Sequence, residues 1–116
     1  MTDRAAIAVR HILEAIAFIR EDTAAGSNVA FASDRRLRQL VERNLEIISE
    51  ASRRIPDDLK SRHGNVPWRQ VADMGNVLRH EYEHIELEEL RLVIERDLDP
   101  LEKAVEAIGD ALGEGT

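Results

Sequence analysis

Cysteine is absent from this 116-residue chain, which excludes disulfides, thiolate metal sites and a cysteine nucleophile. Aromatic side chains make up only 3% of it, so the core must be aliphatic, which suits packed helices better than sheets. No apolar run approaches the roughly 18 residues needed to span a bilayer. The N-terminus lacks the charged-then-apolar layout of a signal peptide, so the expectation is a cytoplasmic protein with no membrane association. The length allows one core and is too short for two.

Charge is plentiful and unevenly spread. The net charge is −7, divided as −1 over residues 1–30, +3 over residues 31–80 and −9 over residues 81–116. A nucleic-acid ligand would have to use the middle segment, where Arg35, Arg36, Arg38, Arg43, Arg53, Arg54, Lys60, Arg62, Arg69 and Arg79 lie. For any one of these, the plainer reading is a solvated helix face.

The apolar pattern predicts helices throughout. From Asp3 to about Asp22, Val9, Ile12, Ile16 and Ile19 recur at three- and four-residue steps, and Gly26-Ser27-Asn28 reads as a turn. His11 falls on the charged side of this helix. A second helix is expected to about Arg54, with Ser33 as its N-cap and Leu37, Val41, Asn44, Ile48, Ala51 and Ile55 as its seam. Asn44 is polar on that buried row, so it either faces a cleft or a second subunit or finds a local hydrogen bond. A single turn is expected at Pro56–Lys60, followed by an exposed loop over 61–65 that leaves His63 on the surface. Pro67 opens a third helix whose buried stripe is Trp68, Val71, Gly75, Leu78, Tyr82 and Ile85, with a polar stripe of Asp73, Asn76, His80 and His84. Mid-helix Gly75 costs up to about 1 kcal/mol relative to Ala, so another group comes close there or the position has lost a larger residue. The last helix, from about Glu86 to Leu112, should kink or break at Asp99-Pro100, with Asp99 capping a new helix. The domain is expected to occupy 1–112, with 113–116 as a flexible tail.

The stretch Pro67–Ile85 holds the only Trp, the only Tyr and two of the four His. His80-Glu81-Tyr82-Glu83-His84 is a literal H-E-x-x-H, the zinc-protease pattern. The charged Glu83, the lack of a placed third ligand and the lack of room for a substrate cleft argue against a protease. A metal-binding hydrolase through His80 and His84 is a distant alternative.

A different combination covers nearly the whole chain: Ile48-Ser49-Glu50-Ala51 near the end of the second helix, Pro67-Trp68, Asn76, His80-x-Tyr82, and Asp97-Leu98 followed by Pro. It resembles the HepT-type family of minimal HEPN domains. The resemblance implies an all-α antiparallel four-helix bundle, a homodimer, and metal-independent cleavage of RNA by a toxin with no cofactor. It also implies a minimal nucleotidyltransferase antitoxin as partner, which can adenylylate the motif tyrosine. Carried over, Asn76, His80 and Tyr82 match the motif, and Gly75 stands where the family has Arg. Arg79, about 40° round the helix from Gly75, is the candidate substitute. Alternatively, the chain is a silent member that acts by binding the partner.

The chemistry required is plain. Attack of a 2′-hydroxyl needs a group that moves protons near neutral pH, and imidazole suits because its ordinary pKa is about 6.5. The phosphate needs a fixed cation, for which the guanidinium fork is well shaped. His80 is therefore the candidate acid/base, Arg79 the clamp, Asn76 an orienting group and Tyr82 a positioning residue and adenylylation target, with Arg43, Arg69 and Arg79 as RNA-binding candidates and no metal. His80 and Tyr82 lie roughly 200° apart on an ideal helix, so they serve one site only if the helix frays or the site is assembled across a dimer through the faces around the second and third helices.

Overall fold

The computed structural model of the chain describes residues 2–24, 34–80 and 93–114. Five α-helices occupy these: α1 (Thr2–Ala24), α2 (Arg35–Ser52), the single turn α3 (Asp57–Lys60), α4 (Trp68–His80) and α5 (Leu98–Glu114). A 3₁₀ turn at Ser61–His63 and a π turn at Val93–Asp97 complete the set, and no strand occurs among the described residues.

Helix α1 packs on both α2 and α5, and α2 packs in turn on α4. The rows expected on α1 and α2 are buried, and Leu45, outside the expected row, is buried with them. Ile12, Ile16 and Ile19 of α1, Val41, Leu45 and Ile48 of α2, and Val105 and Ile108 of α5 are fully enclosed, each stabilising the fold by about 1.5–3 kcal/mol relative to exposure. Gly109 lets α5 approach α1, because a Cβ there would meet Val9 Cγ1 at 3.1 Å. At the other end of the pair, Arg20 bonds Glu102 at 2.8 Å and lies 3.7 Å from Asp99, so α1 and α5 run antiparallel.

Helix boundaries differ from expectation where side chains compete for backbone groups. The N-cap of α2 is Asp34, whose carboxylate accepts from the Arg36 and Leu37 amides at 3.0 and 3.1 Å; Ser33, the expected cap, lies outside the described residues. The helix ends at Ser52 rather than near Arg54. There Lys60 Nζ donates to the Ser52 carbonyl at 3.2 Å, placing a cation on the negative end of the helix dipole. Asn44 is buried and donates to the Leu40 carbonyl at 3.0 Å, so its polarity is satisfied within its own helix. Segment 61–63 is a 3₁₀ turn in place of a loop, with His63 half-buried. Its carbonyl accepts from Trp68 Nε1 at 3.1 Å.

Asp99 does not cap a new helix. Helix α5 begins at Leu98, with Asp99 in its first turn, and the irregularity is the π turn one step upstream. Pro100 cannot donate to the carbonyl four residues back and its ring crowds it; the wider π register makes room. The helix extends through Glu114, two residues beyond the expected end.

Candidate functional site

Helix α4 carries the candidate motif. It starts directly after Pro67, whose carbonyl accepts from the Val71 amide at 3.0 Å. Gly75 and Leu78 are buried, with Trp68 and Val71 half-buried, while Asp73 and Asn76 are exposed. The two stripes read from the sequence therefore face core and solvent over the part described. The helix runs through His80. Side chains of Arg79 and His80 lie outside the described residues, as do Tyr82 and His84 entirely. Asn76 is thus the one of the four catalytic candidates whose side-chain exposure is described.

What sequence reading missed is how α4 is held. Ser49 of α2 bridges two positions of the facing helix: its hydroxyl donates to the Ala72 carbonyl at 2.8 Å and accepts from the Gly75 amide at 2.9 Å. One turn later Arg53 donates to the same Ala72 carbonyl from Nε at 3.2 Å and from Nη2 at 2.8 Å. The expectation that another group approaches Gly75 is met by Ser49. The signal was present as Ser49 on α2 and Arg53 at its C-cap, four apart and so on one face, but their partners lie 19 to 26 residues away in the sequence.

Two of the RNA-binding candidates, Arg43 and Arg69, lie on different helices. Arg43 lies beside Glu46 at 3.4 Å with its side chain 71% exposed, lining a groove of about 300 Å³ with His11, Glu50 and Arg54. His11, expected on a solvent face, is half-buried there. Arg69 is exposed in the first turn of α4. An apolar cleft of about 230 Å³ lies between α2, α4 and α5, lined by Leu45, Ile48, Val71, Met74, Leu98 and Leu101 among others. Among the described residues no cluster of His, Asp and Glu could hold a metal ion, and no helix is long and apolar enough to cross a membrane.

The family model described as "Ribonuclease HepT-like" matches residues 12–108. The chain is 33% identical over 100 residues to the "Putative RNase TTE0752" of Caldanaerobacter subterraneus subsp. tengcongensis, covering 86% of this chain and 89% of that one. It is 36% identical over 97 residues to the "Probable ribonuclease HepT" of Thermococcus cleftensis, covering 84% and 88%. No solved structure matches it. With a match running from Ile12 in α1 to Ile108 in α5, the chain belongs to the ribonuclease HepT-like family.

Proposed function

We infer that this protein is a metal-independent endoribonuclease of the HEPN type, acting as the toxin of a toxin–antitoxin pair. The observation that carries the reading is the family match over residues 12–108, within which Asn76, Arg79 and His80 fall on α4, the last of them at its end. In the reaction, His80 takes the proton from a 2′-hydroxyl as its oxygen attacks the adjacent phosphorus. The 5′-oxygen leaves as the imidazolium returns the proton to it, giving a 2′,3′-cyclic phosphate and a free 5′-hydroxyl and restoring neutral His80. Arg79 neutralises charge on the phosphate, Asn76 orients it, and Tyr82 positions the strand and is the target for adenylylation by a minimal nucleotidyltransferase antitoxin. Arg43 and Arg69 add cationic contacts for RNA.

The same reading includes a homodimer, which doubles the arginine-rich surface of a chain whose net charge is −7. Leu40 on α2 and Val77 on α4, 51% and 40% exposed, are apolar groups that a second copy would cover.

One observation favours a silent member that works by binding the nucleotidyltransferase: position 75, where the family motif has Arg, is a buried Gly bonded through its amide to Ser49. The two readings separate on one experiment. Purified protein incubated with single-stranded RNA and excess chelator should yield cyclic-phosphate ends, and its induction in bacteria should arrest growth, relieved by His80→Ala. Absence of cleavage together with a stable nucleotidyltransferase complex would establish the silent reading, and activity abolished by chelator would refute the metal-free mechanism.

A further inference from the structure

The arginines of this surface are not equivalent. Arg10, Arg20, Arg38 and Arg43 each lie 2.7–3.7 Å from a carboxylate oxygen, so their charge is offset locally. Arg53 is different: it is exposed, two of its donors are pinned to the Ala72 carbonyl, and among the described residues no ion pair involves it. Glu50, one turn earlier on α2, and Asp73, next to Ala72 on α4, are the nearest acids in sequence to either end of this contact. Neither is paired with it.

A guanidinium fixed by a neutral carbonyl keeps its full charge, and its remaining donors stay available for an anion. Holding the group in advance also lowers the side-chain entropy lost on binding. Its place matters as much as its charge. Ala72 precedes His80 by eight residues on α4, about 12 Å along the axis at ~1.5 Å per residue. That spacing suits a phosphate neighbouring the one attacked beside His80.

We propose that Arg53 is an RNA-binding residue that holds a backbone phosphate flanking the cleaved one. The inference rests on the ribonuclease reading above and adds to it a contact at the C-cap of α2. The cation is a binding group rather than a catalytic one, so it contributes equally to ground and transition states.

The test uses the full-length protein and a single-stranded RNA oligonucleotide carrying 2′-O-methyl groups, which binds without being cut. Arg53→Gln should lower the slope of log affinity against log salt by about 0.7, one single-strand phosphate contact, and weaken binding roughly fivefold near 0.1 M salt. Arg53→Lys loses the fork on Ala72 but keeps the charge, and should retain the slope. On cleavable RNA, Arg53→Gln should raise KM and leave kcat within about twofold. An unchanged slope in Arg53→Gln, an equal loss in Arg53→Lys, or a fall in kcat at constant KM would each overturn the proposal while leaving the nuclease intact. Failure of the unmodified protein to bind the RNA would overturn both.

Discussion

Single residues decide how the helix bearing the motif is held. Ser49 has its hydroxyl used twice, as donor to Ala72 and acceptor from Gly75, and the side chain is only 2% exposed. Ser49→Ala would leave the α4 amide and carbonyl without that partner in a buried setting, a loss of about 1–3 kcal/mol. Urea denaturation should show the midpoint falling with the m-value unchanged; an unaltered midpoint would show that the bridge contributes nothing. His80→Ala is expected to lower RNA cleavage by about 10²–10⁴-fold, the usual contribution of a general acid or base, with little change in melting temperature. Cleavage retained by that variant would place the chemistry elsewhere. Asn44 illustrates what a sequence can hold open at this scale. Its position on the apolar row raised a cleft or a subunit contact, and its donation to Leu40 resolves the row as core.

At the level of elements, ends and interruptions follow from backbone groups that need partners. Asp34 satisfies two amides of the first turn of α2, so Asp34→Ala should cost about 1 kcal/mol. Thermal unfolding followed by circular dichroism would register this as a melting point lower by about 4 °C. A drop of less than one degree would assign the capping to another group. The π turn at Val93–Asp97 has the same origin: Pro100 cannot complete the α ladder, and the register loosens before it. Proline could be read from the sequence as a disturbance, but the form of the disturbance depends on how the preceding turn accommodates it.

For the molecule as a whole, the sharpest expectation is assembly. Sedimentation equilibrium should give twice the 13.1 kDa chain mass, and Leu40→Glu should shift the population toward monomer if the α2 face is the contact. A monomer at all concentrations would remove the site shared between two copies. Binding of RNA should weaken steeply with salt, since the middle of the chain carries a +3 balance against −9 in its last third.

Periodicity alone specified an all-helical chain with an aliphatic core, because burial every three or four residues is a local property of the helix. The candidate motif of Asn76, His80 and Tyr82, with Gly75 in place of an arginine, rests on residue identity and spacing and stays a proposal. Tertiary structure was needed for everything that joins distant segments. Only the packing of α2 against α4 brought Ser49 to Gly75 and Arg53 to Ala72, since a hydroxyl or guanidinium chooses its partner by proximity in space, and no spacing along one helix records what the facing helix presents.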